Sequence, residues 1–89
     1  MVHVLITHQV KDFASWKVGY DAGKPMRTEN GVISDRVFQD SSDPNRVTLL
    51  MKCRYLGQAR AFLENEDLKA AMADAGVISV PEASFLNAA

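Results

Sequence analysis

Hydrophobic and polar residues alternate from the second residue of the chain onward, which is the pattern of a β-strand. Residues 2 to 9 (VHVLITHQ) are rich in β-branched and apolar types, and in an extended chain their side chains point alternately to two faces. Val4 and Ile6 fall on one face and Leu5 falls on the other. Because both faces carry apolar residues, we expect this strand to lie in the interior of a sheet.

The pattern changes to a helical period at Asp12, which can cap a helix that runs to about Ala22. Gly23 followed by Pro25 is a helix stop signal, so residues 27 to 31 are predicted to form a connection. Three aromatic residues of the helix recur at i, i+3 and i+7, and their rings therefore share one face. They are Phe13, Trp16 and Tyr20.

Residues 32 to 40 and 45 to 55 are predicted to form an antiparallel hairpin. Asp43, Pro44 and Asn45 fit the first three positions of a type I turn, because proline presets φ and the aspartate side chain can accept from the backbone ahead of it. On the second strand of the hairpin, one face is apolar at every position, which predicts its burial. These residues are Val47, Leu49, Met51 and Cys53.

The second helical region is predicted to be broken. Apolar residues recur at helical spacing over residues 56 to 65 and again from Leu68 onward, and the polar run of residues 64 to 67 interrupts them. Asn65 or Asp67 could cap a new helix that ends at Gly76. Residues 82 to 87 are then predicted to form a short last strand.

The element order is β-α-β-β-α-β, which predicts an α+β fold of the ferredoxin-like type. In this fold two helices cover one face of a four-stranded antiparallel sheet. The other face would expose a larger apolar patch than monomers usually tolerate, and a second copy packed sheet to sheet would cover it. We therefore expect a homodimer.

Size and charge limit the partners of the protein. A chain of 89 residues makes one domain, residues 1 to 89, and a domain this small buries only about 60 to 65 per cent of its unfolded surface. Ten basic residues stand against eleven acidic ones without a basic cluster, so neither nucleic acid nor a membrane is an expected partner. The N-terminus lacks the features of a signal peptide, which predicts a soluble, cytoplasmic protein.

The sequence contains none of the common spacings for metal or cofactor binding. Cys53 is the single cysteine, it cannot form an internal disulfide, and its position in a strand favours a buried, inert thiol. Zinc and iron–sulfur spacings, phosphate-binding loops, the dinucleotide fingerprint and the nucleophile elbow are all missing. We predict no metal and no cofactor, so that any chemistry would be cofactor-free.

His8 is the candidate catalytic base. A neutral imidazole at the end of the first strand could accept a proton from an acidic phenol or C–H group near pH 7. Alternatively, His8 fixes the turn between strand and helix through a backbone hydrogen bond. His3 lies on the opposite face of the strand, so the two histidines cannot converge on a metal within one subunit. The carboxylates of Asp12, Asp35 and Glu82 are expected at caps or strand edges, where water keeps them weakly basic.

The aromatic face of the first helix and Arg36 are the candidate ligand-binding residues. Phe13, Trp16 and Tyr20 could line a cavity and stack on a flat ligand, or they could be plain core residues. Arg36 could bind a ligand carboxylate, or form a salt bridge across the hairpin, which is the interpretation we favour.

The chain resembles small proteins of the dimeric α/β-barrel superfamily, near the antibiotic biosynthesis monooxygenase-like and cyclase-like groups. The resemblance rests on short motifs spread over most of the chain: His8, Asp12-Phe13, Trp16-Lys17, Tyr20, Arg27, Gly31, Asp43-Pro44, and Ala59-Arg60-Ala61-Phe62 before Leu68. The wider superfamily includes cofactor-independent monooxygenases, polyketide cyclases, lactone isomerases, haem-degrading enzymes and stress-response proteins. An Asn-Trp-Arg active site of some monooxygenases has only Trp16 as a counterpart here.

The resemblance implies a homodimer with a small-molecule pocket. One hypothesis is a monooxygenase-like, cyclase-type or isomerase-type enzyme that abstracts a proton from a small cyclic or phenolic compound. The other is a non-catalytic module for ligand binding or protein interaction. The sequence leaves the choice between them open, because one fold hosts many functions.

Overall fold

The computed structural model describes all 89 residues. It contains four strands and four helices. In chain order they are β1 (Val2–Gln9), α1 (Phe13–Ala22), α2 (Lys24–Glu29), β2 (Val32–Gln39), β3 (Arg46–Cys53), α3 (Leu56–Glu64), α4 (Glu66–Asp74) and β4 (Glu82–Asn87).

The four strands form one antiparallel sheet in the order β2-β3-β1-β4. This order and the element sequence confirm the predicted ferredoxin-like fold, and β1 is an interior strand as expected. The register pairs Val4 with Met51 on one side and with Phe85 on the other. The helices cover the face that carries Val4, and the main hydrophobic core lies between that face and the helices.

Strand β3 is buried on the predicted face. Its four inward side chains are between 0% and 5% exposed, and they pack against Trp16 of α1 and Phe62 of α3 in one cluster. The hairpin turn is also as predicted. The backbone N–H of Arg46 donates to the Asp43 carbonyl at 3.0 Å, and that of Asn45 donates to the Asp43 carboxylate at 2.9 Å.

One prediction about the helical regions is wrong. Residues 27 to 31 were expected to be a connection, but α2 occupies Lys24–Glu29 and only the last residues link it to β2. The reason is that Gly23 has a φ of −82°, which is not the left-handed conformation that ends a helix, and Pro25 lies in the first turn of α2. Proline is well tolerated there because the first-turn N–H groups have no partner within the helix.

The predicted break in the second helical region is confirmed. The Asn65 side chain accepts from the N–H groups of Asp67 and Leu68, and so caps α4. Gly76, with a φ of 95°, ends the helix in a left-handed conformation. The N–H of Val77 donates to the Met72 carbonyl and that of Gly76 to the Ala73 carbonyl, which is the Schellman arrangement. Although both ends of α4 are fixed, none of its residues is buried.

The second face of the sheet has no covering element within the chain. Leu5 is 36% exposed, Phe38 41% and Leu86 43%, and the register places Leu50 directly beside Leu5 and Arg36. We call this surface, centred on Leu5 and Leu50, the open face. None of the four helices combines the length and the apolar character that crossing a bilayer requires.

Two helical glycines provide a matched test of how closely α4 packs on α1. A Cβ atom at Gly19 of α1 would lie 3.1 Å from the Cβ of Ala75, whereas one at Gly57 of α3 would meet nothing within 4 Å. Alanine at either position gains up to about 1 kcal/mol of helix propensity. We therefore expect Gly57→Ala to raise the urea midpoint, and Gly19→Ala to raise it less or to lower it. Equal shifts would contradict the close approach.

Candidate functional site

A cavity of about 90 Å³ lies between the helices and the sheet, on the face opposite the open face. Its walls come from β1, β3 and all four helices, and they are apolar except at three points. His8 is on one wall, and Arg27 and the hydroxyl-bearing ring of Tyr20 are on another. The cavity therefore combines an apolar interior with a histidine, a guanidinium and a phenol.

Strand alternation carries His8 into the interior. Its side chain shares the inward face of β1 with Ile6, and the residue is only 3% exposed. Nδ1 is enclosed and has no hydrogen-bond partner. Burial lowers the pKa of His8 below its ordinary value of 6.5, because the charged imidazolium loses hydration in the interior. His8 is thus a neutral imidazole whose Nδ1 atom has no partner with hydrogen-bond geometry, although a contact with its own backbone partly offsets the lowering of its pKa.

The rings of His8, Trp16 and Tyr20 form one aromatic row. The His8 and Trp16 centroids are 5.6 Å apart in an edge-to-face arrangement, and the Trp16 and Tyr20 rings stack at 4.9 Å with an angle of 24°. Such ring pairs add about 0.5 to 1.5 kcal/mol beyond the area they bury. The helical spacing of α1 and the last inward position of β1 produce this row together.

Arg27 extends the row and links it to β2. Its Cζ atom lies 3.7 Å from the Tyr20 ring centroid, and Nη1 donates to the Tyr20 carbonyl at 2.6 Å. The Tyr20 hydroxyl donates to the Asp35 carboxylate, which lies 3.8 Å from Nη2 of Arg27. Burial, together with this hydrogen bond, raises the pKa of Tyr20, so the phenol stays protonated and holds its position.

The structure brings together three of the predicted site residues. His8, Trp16 and Tyr20 all line the cavity. Phe13 packs on Trp16 with ring centroids 5.7 Å apart, but it is not among the lining residues. Whether these residues bind a ligand stays a prediction.

Arg36 lies away from the other candidates, on the open face. The salt bridge that we favoured for it is wrong, since the guanidinium Cζ lies 4.9 Å from the ring centroid of Phe38 instead. The register explains this. Arg36 is directly opposite Leu50 on β3, which offers no carboxylate.

Arg27 and Asp35 are part of the site but were not predicted from the sequence. Arg27 was placed in a connection, and Asp35 was expected at a hydrated strand edge. The edge position is right, because β2 is the outer strand, but alternation turns Asp35 toward Tyr20 and away from Arg36. Two features of the sequence indicate their positions. Pro25 can begin a helix that contains Arg27, and Asp35 is two residues from Val37 in β2, so both side chains point to the inward face.

Cys53 is buried, as predicted, and burial raises the pKa of its thiol. No group of three or more His, Cys, Asp or Glu side chains converges at a point where a metal ion could be held. The polar side chains that line the cavity are one imidazole, one guanidinium and one phenol.

The sequence matches no family model, and a search of curated proteins finds no significant match. Solved structures are similar in fold. A Bordetella bronchiseptica protein proposed to be an antibiotic biosynthesis monooxygenase superposes with a TM-score of 0.83 at 13% identity, over 99% of this chain and 96% of its own. SnoaB, a cofactor-independent oxygenase from Streptomyces nogalater, gives 0.77 at 12% identity, over 99% and 92%.

Rv0793 from Mycobacterium tuberculosis is a third such structure, with a TM-score of 0.71 at 15% identity over 99% of this chain and 94% of its own. These likenesses span nearly the whole of each chain. They confirm, at the level of the fold, the predicted resemblance to antibiotic biosynthesis monooxygenase-like proteins.

The buried imidazole should make the stability of the fold depend on pH. The folded-state pKa of His8 is below the unfolded value, so the unfolded chain binds more protons in the interval between the two. The free energy of unfolding therefore falls as the pH decreases through the unfolded pKa, by at most about 1.4 kcal/mol per pH unit for one group. We expect the urea midpoint to decrease from about pH 7 to about pH 5.

Two variants isolate this contribution. His8→Leu should remove that part of the pH dependence, whereas His3→Asn, on the opposite face of β1, should retain it. A wild-type slope that survives unchanged in His8→Leu would show that other groups cause it.

Proposed function

We propose that the protein binds a small cyclic or phenolic compound in the cavity and abstracts a proton from it with His8. The observation that carries this proposal is the buried, neutral imidazole, which has no protein partner for Nδ1 and lies on the wall of an otherwise apolar cavity. Buried polar atoms are normally satisfied. A ligand that supplies a hydrogen-bonding proton would satisfy this one.

The electrostatics of His8 suit a base that works at neutral pH. Its lowered pKa keeps the imidazole neutral at pH 7, so that one ring nitrogen can accept a proton. A lower pKa also makes it a weaker proton acceptor. The apolar cavity reduces competition from water for the substrate proton. Trp16 offers a flat indole beside the imidazole, on which a planar ring can stack within reach of the base.

Arg27 is suited to the negative charge that deprotonation creates. A phenol or an activated C–H compound becomes a phenolate or an enolate, whose charge lies on oxygen. The Arg27 side chain is about 10% exposed, and it lines the cavity. A guanidinium fixed in a water-poor site stabilises such an oxyanion more strongly than it would in water. His8 and Arg27 thus form a base and an anion-stabilising group.

The fold comparisons favour a cofactor-free version of this chemistry. SnoaB, which shares the fold, is a cofactor-independent oxygenase. An electron-rich phenolate or enolate can react with dioxygen, close a ring or isomerise, so one deprotonation is the common first step of monooxygenase-like, cyclase-type and isomerase-type reactions. We propose that the protein belongs to this class of enzymes.

We further propose that the functional unit is a homodimer joined through the open face. Leu5, Phe38 and Leu86 are each more than one third exposed on that face, and no element of the chain covers them. Packing two such sheets face to face would remove the apolar side chains from water. The cavities would then lie on the outer, helical sides of the dimer.

Ligand screening followed by turnover tests the catalytic proposal. Trp16 is the only tryptophan, so binding of phenols, quinones or small lactones should quench its fluorescence. For a compound that is converted, His8→Ala should lower kcat about 10²- to 10⁴-fold, and Arg27→Met should lower kcat more than it raises KM. The wild-type rate should fall only below about pH 6.5, since burial places the His8 pKa under that value.

His3→Ala is the control, because His3 lies on the other face of β1, away from the cavity, and kcat should stay unchanged in a variant that light scattering shows to be still dimeric. Full activity in His8→Ala would end the proposal of a histidine base. Binding without conversion of any bound compound would favour the non-catalytic ligand-binding module.

The dimer is tested by mass. Light scattering should give twice the chain mass of 9.8 kDa, and Leu50→Glu should shift the protein toward the monomer because it puts a charge at the centre of the open face. Val18→Glu is the matched control, since Val18 is 72% exposed on α1, away from that face. A wild-type protein that is monomeric at micromolar concentration would refute the proposal.

A further inference from the structure

A second and larger space adjoins the cavity. It is a groove of about 430 Å³ between α4 and the segment that leads into β4, compared with about 90 Å³ for the cavity. Ile6, Leu63 and Met72 line both spaces. These three residues therefore border both the cavity and this outer groove.

The outer wall of the groove is held by two hydrogen bonds to the backbone of Gln9. The N–H of Ile78 donates to the Gln9 carbonyl at 2.9 Å, and the N–H of Gln9 donates to the Ser79 hydroxyl at 2.8 Å. Val77 pairs with Val10 in an isolated bridge. These contacts tie the segment after α4 to the end of β1, so the groove is a formed feature of the fold.

The side chains of Leu63 and Met72, which border both spaces, are in contrast loosely packed. Leu63 and Met72 are only half-buried, and α4, which carries Met72, buries none of its residues. Methionine has three rotatable bonds and adapts to irregular shapes. These two side chains, rather than the buried Ile6, are therefore the ones that can move to connect the cavity with the groove.

The groove is apolar along its length and carries one charge. Val77, Val80, Pro81 and Ala83 supply apolar walls, and Lys69 is the only charged residue among those that line it. The Lys69 ammonium has one partner, Glu66 at 3.5 Å, and both side chains are more than half exposed. Such an exposed pair is weak, so the ammonium can exchange Glu66 for an anionic group of a ligand.

We propose that the cavity and the outer groove form one elongated binding site. Its ligand is a compound with a single ring in the cavity, an apolar chain that passes Leu63 and Met72 into the groove, and a carboxylate or similar anion at Lys69. The position of the ring rests on the proposed function. The position of the chain and the anion rests on the continuity of the two spaces and on the charge of Lys69.

A series of 4-hydroxyphenylalkanoates of increasing chain length tests this site, with quenching of Trp16 fluorescence as the readout. Affinity should increase by up to about three- to fourfold for each methylene that enters the groove. It should stop increasing once the carboxylate has reached Lys69. The methyl ester of the longest acid should bind about two- to fivefold more weakly than the acid at low salt, because it lacks the charge.

Two matched pairs of variants locate the chain and its end. Ala73 is exposed and lines only the groove, so Ala73→Phe should abolish the dependence on chain length and leave binding of p-cresol intact. Ala70→Phe, exposed on the same helix and outside both spaces, should change neither. Lys69→Met should remove the preference for the acid over its ester, whereas Lys24→Met should keep it.

The outcomes separate this inference from the proposed function. Binding of p-cresol with no effect of chain length would overturn the elongated site alone. Chain-length dependence in an enzyme whose His8→Ala variant is fully active would support the elongated site and overturn the histidine base. If no member of the series binds, the elongated site is overturned, while the proposed function is still decided by the quinones and lactones of its own screen.

Discussion

The alternation of β1 determines most of what is specific to this molecule. Val2, Val4 and Ile6 point toward the helices and are at most 4% exposed, and the next inward position is His8. The imidazole cannot leave the interior by itself, because a shift of one residue would turn every side chain of the strand to the other face. The burial of these apolar residues thus offsets the free-energy cost of burying the His8 imidazole, which is the side chain with the most obvious chemical use.

The lining of the cavity beside this histidine has a rigid part and an adaptable part. The rigid part is the aromatic row, which is fixed by stacking on Trp16, by the guanidinium over Tyr20 and by the hydrogen bond to Asp35. The adaptable part consists of methionines from α2, β3 and α4. Three of the four in the chain line the cavity: Met26, Met51 and Met72. The rigid part can orient a planar ring, while flexible thioethers let a space of about 90 Å³ accept ligands of different outline.

The parts of the structure that the sequence predicts are those set by local pattern. Alternation defined the inward face of β3, the helical period placed Trp16 next to Tyr20, and Asn65 was a candidate cap for α4. Arg27 and Asp35 were missed because the local signals place one residue on a helix and the other on the inward face of β2, but do not show that α2 brings Arg27 to within 3.8 Å of Asp35. The same holds for Arg36, whose neighbour across the sheet, Leu50, is known only from the register. The cavity, finally, was not predictable, because hydrophobic patterns identify which side chains are buried but not the space that remains between them.

Helix α4 is held by a cap at Asn65 and by Gly76, but it contributes no buried side chain to the core. Regions with few buried contacts open in local steps whose free energy is far below that of global unfolding. The backbone amides of residues 66 to 74 should therefore exchange with solvent long before those of β1 and β3. Because Leu68 and Met72 line the cavity, an occupant would contact this helix directly and slow its opening. Occupancy of the site would then be recorded in two ways, as slower exchange of the α4 amides and as a higher melting temperature, because the same binding free energy opposes both the local and the global opening.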